Sequence, residues 1–548
     1  MSAARHHGIH VLTVSGTDRE MGYQHGVALR EAIRRGPLPA FSRYVERLLA
    51  GSLGGLAGPV AKGMGIALSE TIGRAIAAKL PRSTLEALEG LADGACIPRR
   101  ELMRAVTMPE TYLFVASQWI ARRGLPGAPR LAVPLYGCTS AIAWGDGAEH
   151  GRMLHGRNFD YQGVGTWDRE QAVVFHRPED GQRYVSISAA GILFGGITAM
   201  NEAGLTLVVH QHLYSTDFAL GGLPVGIVGD RVMRHARSLD DARRILDDHV
   251  PNGSWTYVIT SAKEQAVLCY EVTAKRRAVV PVPGPTFGYS NVFLARALAN
   301  REAHGYPTHW RNVIGRYHRA TALLEERRGH DVRSIAAILA DRGTPACRFH
   351  DSIAGLQTVA SVVFDAAAGV VWVATGRAPV SQNPYVAFDL RTERPRDDDP
   401  IRPTSEDASA RLAFEAYRDA YEAAFHQGDW VEARRCVEVA RRAQPEQPVY
   451  HFVAGLMSLR TGDSGNAERA FDRAIACRHP SRERLSGFHL WRARTHDLRG
   501  ARDRAQVDYR AALDGDPSVR AAADRGLMRP WTGGAIPIEW SFGDVVAP

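Results

Sequence analysis

The chain has 548 residues, of which 45% are hydrophobic, and this is enough to bury a large core and to form more than one domain. Its formal net charge of +8 does not indicate nucleic-acid binding, because only four of the 67 basic residues are lysines and the arginines are spread along the chain. The six cysteines lack CxxC spacing, which argues against a disulfide framework and a structural zinc site. No apolar run reaches signal-sequence or membrane-span length (roughly 18 residues for a span), so we expect a soluble, cytoplasmic protein.

Two kinds of secondary structure follow one another along the first part of the chain. Residues 19–123 are predicted to be largely helical, because apolar positions recur three and four residues apart, as in LEALEGLADGA (85–95). The middle of the chain is predicted to be rich in strands, and short spacings with glycine-containing turns favour antiparallel meanders. The candidate strands are TSAIAW (139–144), RMLHGRNFDY (152–161), QAVVFHRP (171–178), RYVSISAAG (183–191), GLTLVVHQHL (204–213), SWTYVITS (254–261), QAVLCYEVT (265–273) and SVVFDAAAGVVWVATG (361–376).

Helical patterns interrupt these strands. The segment SLDDARRILDDH (238–249) opens with a capping pattern formed by Ser238 and Asp241, and YHRATALLEERR (317–328) is amphipathic. Together with the strands, these helices predict an α+β fold with two stacked sheets.

A change in composition marks the end of the strand-rich part. The segment TERPRDDDPIRPTSED (392–407) is rich in charge and proline, so we predict a linker over residues 392–409. Residues 410–525 are rich in alanine and arginine and have helical periodicity, and residues 526–548 are predicted to form a tail.

The helical segment contains an internal repeat. Small residues at fixed offsets let two helices approach closely, and a bulky residue between them fills the groove. The pattern resembles three tetratricopeptide repeats, whose period is 34 residues. The pairs 34 residues apart are Gly428 and Gly462, Ala433 and Ala467, and Ala440 and Ala474, and a third copy after 38 residues carries Ala505, Tyr509, Ala512 and Pro517.

The segment GCTSAIAW, which begins at Gly137, contains a candidate nucleophile in Cys138. A thiol with a pKa of about 8.5 needs a proton acceptor. The α-amino group of the cysteine itself, with a pKa of about 7.7–8.0, could serve, but only if the chain is cut between Gly137 and Cys138. Glycine favours such a cut, because it has no side chain to block attack of the sulfur on its carbonyl.

Several segments together carry a resemblance to a known family. GCTSAIAW followed by GRNFDY (156–161) resembles the N-terminal nucleophile hydrolases related to acyl-CoA:6-aminopenicillanic-acid acyltransferase, and more distantly choloylglycine hydrolase. The similar segments cover about residues 10–390 in the order of the family. The others are GTDREMGYQHGVAL (16–29), LEALEGLADGACIPRREL (85–102), AMNEAGLTL (199–207), FGYSNVF (287–293) and CRFHDS with QTVASVVFDAAAGVVWVATG (347–376).

The resemblance implies a domain organisation. It implies a four-layer αββα sandwich, followed here by the all-α repeat domain. It also implies autocatalytic cleavage between Gly137 and Cys138 into two chains that stay together. Residues 1–137 would then be a largely helical propeptide or small chain packed on the core, and residues 138–391 the catalytic domain.

The resemblance also implies roles for two residues of GRNFDY. Arg157 and Asp160 match the arginine and aspartate beside the family's nucleophile. Asp160 can orient the new amine, and Arg157 can stabilise the thiolate and polarise the substrate. Because residues three apart on a straight strand face opposite ways, we expect the strand to bend or end there, at Gly156 or in the following QGVG (162–165).

Three further residues are candidates through the same resemblance. Asn291 in FGYSNVF matches the asparagine that donates to the tetrahedral oxyanion, a task that suits an uncharged amide. Gln211 stands where related hydrolases have a second asparagine and offers the same amide on a longer arm. A further arginine of the family corresponds to Arg316 or Arg319, and Arg316 is preferred.

These residues predict a self-processing cysteine amidohydrolase or acyltransferase. Its substrates would be linear non-peptide amides, cleaved at a C–N bond, or acyl thioesters. No cofactor and no metal are predicted, with acyl-CoA as a candidate co-substrate, and neither nucleic acid nor membrane is an expected partner. The repeats are expected to dock a protein. The alternative is a non-catalytic adaptor in which the repeats carry the function.

Two other groups of residues offer weaker chemistry. His210 and His212 could form a metal pair on one strand face, but no third ligand stands at a recognisable spacing. Cys347 and His350 could form a cysteine–histidine dyad, although their spacing alone does not orient them.

Overall fold

The computed structural model describes residues 3–41, 58–122, 137–161, 163–212, 215–302, 307–343, 352–398, 400–403, 407–515 and 517–544. The chain divides into two compact units. The N-terminal unit comprises Met1–Ala303, Arg316–Asp341 and Gln357–Thr404, and the C-terminal unit comprises His304–Gly315, Arg342–Leu356 and Ser405–Pro548.

The described strands of the N-terminal unit are β1 (Ala4–His6), β2 (Ile9–Gly16), β3 (Cys138–Gly145), β4 (Gly151–Asp160), β5 (Gln171–Pro178), β6 (Tyr184–Ala189), β7 (Thr198–Asn201), β8 (Leu205–Gln211), β9 (Trp255–Ser261), β10 (Ala266–Val272), β11 (Arg277–Val280), β12 (Thr286–Tyr289), β13 (Thr358–Asp365), β14 (Val370–Ala374), β15 (Tyr385–Asp389) and β16 (Arg394–Pro395). Within the described ranges they form two sheets. The first sheet has the order β1-β2-β5-β6-β7-β8-β9-β10-β11, and the second has the order β12-β3-β4-β13-β14-β15-β16.

The helices described before residue 340 are α1 (Asp18–Ala28), α2 (Arg30–Arg35), α3 (Gly58–Ala77), α4 (Arg82–Ala95), α5 (Arg99–Val106), α6 (Met108–Arg122), α7 (Val225–His235), α8 (Leu239–Asp247), α9 (Arg296–Ala299), α10 (Pro307–Glu325) and α11 (Val332–Leu339). The capping pattern predicted at Ser238 is present, because its side chain accepts the backbone N–H of Asp241 at the start of α8.

The main core lies between the two sheets. Val185 of β6 and Val258 of β9, from the first sheet, belong to the same buried cluster as Ile142 of β3, Phe364 of β13 and Val371 of β14 from the second. Strands with one face in this core and the other under a helix are buried on both sides, which explains their long apolar runs.

Helices cover the outer faces of both sheets. Val14 of β2 packs in one cluster with Met21 of α1 and Leu91 of α4, on the outer side of the first sheet. On the second sheet, Ile335 of α11 lies directly over Gly156 of β4, where an added Cβ would come within 2.4 Å of the Ile335 side chain. The layers are therefore helix, sheet, sheet and helix, and the prediction of an α+β fold with two stacked sheets is confirmed.

The beginning of the chain forms two strands that the sequence analysis did not predict. Strand β2 pairs in parallel with β5, so that His10 lies opposite Ala172 and Gly16 opposite Pro178, and β1 pairs with β2 in antiparallel fashion. The segment IHVLTVSG alternates buried and more exposed positions, as a strand with one covered face does. The first sheet thus extends beyond the predicted meander through a pairing distant in sequence.

Four glycines bring α1 and α4 into direct backbone contact. They are Gly22 and Gly26 of α1 and Gly90 and Gly94 of α4, and a Cβ added at any of them would lie 2.0–2.6 Å from a backbone atom of the other helix. Both helices lie within the two N-terminal segments that carry the family resemblance. The glycines in those segments are therefore explained by close helix packing.

The C-terminal unit is helical in its described residues beyond 407. Its helices there are α12 (Ala408–Glu422), which continues into a π-helical turn (Ala423–Gln427), α13 (Trp430–Ala443), α14 (Pro448–Arg460), α15 (Ser464–Ala476), α16 (Arg482–Leu498), α17 (Arg502–Ala512), α18 (Pro517–Met528) and α19 (Ile538–Ser541). Among the helices described for the whole chain, none is long and apolar enough to span a membrane.

The internal repeat of the sequence corresponds to repeated helix pairs. Helices α12 and α13, α14 and α15, and α16 and α17 pack on one another as consecutive pairs. Each pair turns at a glycine with a left-handed backbone, since φ is +73° at Gly428, +78° at Gly462 and +72° at Gly500. The tetratricopeptide assignment stays a prediction, although the repeated turns match its period.

We predict that Gly90→Ala destabilises the protein, because the new methyl would lie 2.0 Å from the carbonyl oxygen of Arg19 in α1. Overpacking of this kind costs about 1–3 kcal/mol. The matched control is Gly63→Ala in α3, where a Cβ meets nothing within 4 Å and alanine favours the helix. Thermal unfolding should show a lower midpoint for Gly90→Ala only, and equal midpoints would contradict the close packing of α1 and α4.

Candidate active site around Cys138

A cavity with an apolar lining opens beside Cys138 in the N-terminal unit. Its empty volume is about 900 Å³, including the open mouth. Aromatic rings form much of the wall and polar groups are few, as is usual for small-molecule sites. The aromatic residues are Phe41, Phe159, Tyr161, Trp167, Phe194 and Trp255, and the polar ones include Glu110, Cys138, Arg157, Asp160, Gln211 and Asn291.

The peptide group between Gly137 and Cys138 is hydrogen-bonded on both sides. The Cys138 N–H donates to Oδ1 of Asn291 over 2.6 Å, and the Gly137 carbonyl accepts the backbone N–H of Asp160 over 2.8 Å. The second bond continues the β3–β4 ladder, in which Cys138 lies opposite Phe159. The bond predicted to be cut is therefore fixed in position, with a donor on its carbonyl oxygen.

Arg316 lies at the same peptide. Its guanidinium donates to the Cys138 carbonyl over 2.7 Å, to Oγ1 of Thr139 over 2.9 Å and to Oδ1 of Asn291 over 3.2 Å. Burial lowers the pKa of Arg316, and the Asp160 carboxylate, 4.0 Å away, opposes that shift. Arg319, the other candidate, binds Asp341 with bonds of 3.0 and 2.9 Å instead.

Arg157 contacts the sulfur of Cys138. Its Nη2 lies 3.3 Å from Sγ and 3.0 Å from the carbonyl of Val209, and its Nη1 donates to Thr198. Burial raises the pKa of the Cys138 thiol, while the charge of Arg157 lowers it. Among the side chains that the structure describes, Arg157 is the one that hydrogen-bonds Sγ, and it favours the thiolate form.

Asp160 reaches the cavity because it is the last residue of β4. Its Oδ1 accepts the hydroxyl of Thr358 over 2.6 Å, and β13 has a register shift between Thr358 and Ala360 at this point. Burial raises the pKa of Asp160 to about 6, against the charges of Arg316 and Arg157. The strand end, and not a bend at Gly156, allows Arg157 and Asp160 to face one site.

Asn291 and Gln211 are adjacent, but their donors differ in use. Asn291 Nδ2 donates to the backbone carbonyl of Gln211 over 2.8 Å, while Asn291 Oδ1 accepts from Cys138. Nε2 of Gln211 is buried and has no hydrogen-bond partner among the described residues. In the uncut chain, the side-chain amide with an unused donor in the cavity is therefore that of Gln211.

Glu110 is a cavity residue that the sequence analysis missed. It is 3% exposed, lies in α6 and accepts the backbone N–H of Val225 at the start of α7. Burial raises the pKa of the Glu110 carboxyl to about 8. Helical periodicity could place Glu110 in α6, but nothing in the sequence indicates that this helix packs beside β3.

The alternative constellations have other surroundings. His210 contacts Ser140 over 2.9 Å, and His212 lies between Glu302 at 2.7 Å and Thr256 at 2.8 Å. No group of three potential metal ligands occurs within the residues that the structure describes. Cys347 and His350, and part of the CRFHDS segment, lie outside the described residues.

The order of these residues along the chain agrees with a known family. Residues 148–378 match the family model of acyl-coenzyme A:6-aminopenicillanic acid acyl-transferase. The matched range of this acyl-transferase family, which is related to the N-terminal nucleophile hydrolases, includes Arg157, Asp160, Gln211, Asn291 and Arg316. Gly137 and Cys138 precede it.

Two individual proteins are also similar to parts of the chain. An uncharacterized protein of Archaeoglobus fulgidus is 24% identical over 284 residues, which make up 50% of this chain and 45% of that protein. The chain thus spans about half of that relative's length. The solved N-terminal domain of stress-induced protein-1 from C. elegans is 12% identical, with all of that domain matched to 23% of this chain at a TM-score of 0.21, which establishes no common fold.

We predict that Gly137→Ala destabilises the uncut chain. A methyl at this position would lie 2.1 Å from Nη2 of Arg316 and 2.7 Å from Oδ1 of Asn291, and both groups are held by hydrogen bonds. We expect a loss of about 1–3 kcal/mol, measured by unfolding in a Cys138→Ala background that excludes thiol chemistry. Gly221→Ala, where a Cβ meets nothing within 4 Å, is the control and should change little.

Proposed function

We propose that the protein is a self-processing cysteine amidase or acyltransferase in which Cys138 becomes an N-terminal nucleophile. The observation that carries this proposal is the Gly137–Cys138 peptide, hydrogen-bonded at both its N–H and its carbonyl, beside a sulfur that contacts an arginine. The match to the acyl-transferase family supports the reaction class.

The first reaction is cleavage of the chain itself. Sγ of Cys138 attacks the carbonyl carbon of Gly137, and the N–H of Asp160 donates to the oxygen on which negative charge develops. The thiol proton passes to the departing nitrogen, so that a thioester and a free α-amine form. Water then hydrolyses the thioester, which leaves a carboxylate on Gly137 and a free thiol on Cys138.

The new α-amine is the proton acceptor for the second reaction. Its free pKa of about 7.7–8.0 suits general base catalysis near neutral pH. The described contacts of Sγ do not include a histidine, so the thiol has no imidazole base in that part of the chain. Oδ1 of Asn291, which accepts the Cys138 N–H in the uncut chain, is in position to orient the amine, and Asp160 supplies a nearby carboxylate.

The catalytic cycle follows from these positions. The thiolate attacks the acyl carbonyl of the substrate, and the amine delivers its proton to the leaving group. Gln211, whose side-chain N–H group has no partner among the described residues, is the donor for the tetrahedral oxyanion, together with Asn291 if its amide turns after cleavage. Water or an acceptor amine then takes the acyl group from the thioester.

The substrate class follows from the cavity and the family. An acyl chain fits the apolar and aromatic wall, so we propose linear non-peptide amides or acyl thioesters such as acyl-CoA. The residues of the site do not choose between hydrolysis and transfer, because the outcome depends on whether water or an amine reaches the thioester.

The C-terminal helices are proposed to be tetratricopeptide repeats that dock a protein partner. Their support is the 34-residue spacing and the three glycine turns with similar φ values. A protein that acts through these repeats alone would not need Arg157, Arg316 and Asn291 gathered around Cys138, which favours the enzyme over the adaptor.

We predict two bands on a denaturing gel of the purified protein, with the larger fragment beginning CTSAIAW. Cys138→Ala should give one uncut band and no turnover of p-nitroanilides, because nucleophile and base are both lost. Cys96→Ala, at an exposed cysteine, is the control and should be cut normally. An uncut wild-type protein that still hydrolyses amides would refute the amine-base mechanism.

A further inference from the structure

The cavity beside Cys138 contains a carboxyl group that takes no part in the reaction proposed above. Glu110 is almost completely buried, and most of the wall around it is apolar. Buried carboxyl groups in proteins are normally paired with a cation or fully hydrogen-bonded, because transfer of the charge from water costs free energy. A carboxyl in a ligand cavity without such a cation therefore suggests that the ligand supplies one.

No protein cation pairs with Glu110 in the part of the chain that the structure describes. Its known hydrogen-bond donors are backbone N–H groups, those of Val225 and of Glu110 itself. The two arginines of the site are engaged elsewhere, since Arg157 binds Cys138 and Val209, and Arg316 binds the backbone at Cys138. Tyr161 and Tyr257 interact electrostatically with Glu110, but burial raises the pKa of both, so they remain neutral.

The charges of the cavity are arranged along it. Arg157 contributes a positive charge at the nucleophile, which repels a cation from that position. Aromatic rings near Glu110 include Tyr161, which stacks on Phe159 with 5.1 Å between the ring centroids. Aromatic faces attract ammonium groups, so the wall is compatible with a cation that lies against Glu110.

A purely structural role for Glu110 is the main alternative. Pro224, which precedes α7, provides no side-chain cap, and the Glu110 carboxyl accepts the first N–H of that helix instead. This capping contact needs an acceptor oxygen but no negative charge. A glutamine at position 110 keeps the acceptor and removes the charge, so it separates the two roles.

We propose that Glu110 binds an ammonium group on the acyl part of the substrate, so that the enzyme prefers amino-substituted acyl groups. This inference rests on the proposed function of Cys138. The acyl group stays in the cavity through both half-reactions, whereas the leaving group and the acceptor exchange with solvent. A buried carboxyl therefore reads the acyl group, with its ammonium at Glu110 and its carbonyl carbon at Cys138.

The test compares two p-nitroanilides of equal chain length, 6-aminohexanoyl and heptanoyl. We expect kcat/KM of the wild type to be at least tenfold higher for the amino substrate. Glu110→Gln should remove this preference, mainly through KM of the amino substrate, and leave kcat for the heptanoyl substrate within about threefold, because a buried hydrogen bond to a charge contributes roughly 1.5–3 kcal/mol. Glu101→Gln, at an exposed glutamate of α5, is the control and should behave as wild type.

The pH dependence provides a readout that a structural role would not change. Glu110 is the anionic form only above its pKa of about 8, so the preference for the amino substrate should rise between pH 7 and pH 9. The substrate amine stays protonated in this range, since its pKa is about 10. Cys138, Arg157 and Asp160 line the same cavity, but they act on both substrates, so their effect cancels in the ratio.

A binding measurement separates failure of this inference from failure of the proposed function. 6-Aminohexanamide should raise the thermal midpoint of the wild type more than hexanamide does, and Glu110→Gln should abolish the difference. Equal stabilisation by the two amides, or a substrate preference that survives Glu110→Gln, would overturn the role of Glu110 while the amidase function stands. A processed wild type that cleaves neither anilide but still distinguishes the two amides would refute the proposed function alone.

Discussion

The hydrogen bonds of the Gly137–Cys138 peptide are the constraint around which the site is built. Asn291 accepts its N–H and the backbone of Asp160 donates to its carbonyl. Arg316 packs so closely that a side chain at position 137 has no room. These contacts require the end of β4 to lie beside the start of β3, so the ladder between the two strands positions both the peptide group and its neighbours.

Burial of this peptide has electrostatic consequences. Desolvation raises the pKa of the Cys138 thiol and of the Asp160 carboxyl, and thus opposes the charged forms that the chemistry needs. Arg157 and Arg316 act in the other direction, because their charges lower both pKa values where they are close enough. The site therefore combines an apolar cavity for an acyl group with two fixed cations at the reacting end.

The fold supports the site through contacts distant in sequence. Parallel pairing of β2 with β5 and the glycine contacts of α1 with α4 attach residues that precede Cys138 to the first sheet and its helix layer. These contacts need no covalent continuity at position 137. This arrangement explains how two chains would stay together after a cut.

The sequence by itself determined which residue types are available and most of the local elements. Gly137, Cys138, Arg157 and Asp160 lie in short motifs, and the predicted strands around them are present, because periodicity and turn residues are local properties. Asn291 and Gln211 were also predicted as site residues, but not which of their amide groups has a free donor.

Only the tertiary structure decided the contacts between distant segments. Asn291 meets Cys138 across 153 positions of sequence, and whether its amide donates or accepts there depends on the placement of Gln211 and Arg316. The position of Glu110 in the cavity likewise depends on how α6 packs against α7. Such pairings arise from burial and shape over the whole core, which no local pattern of residues records.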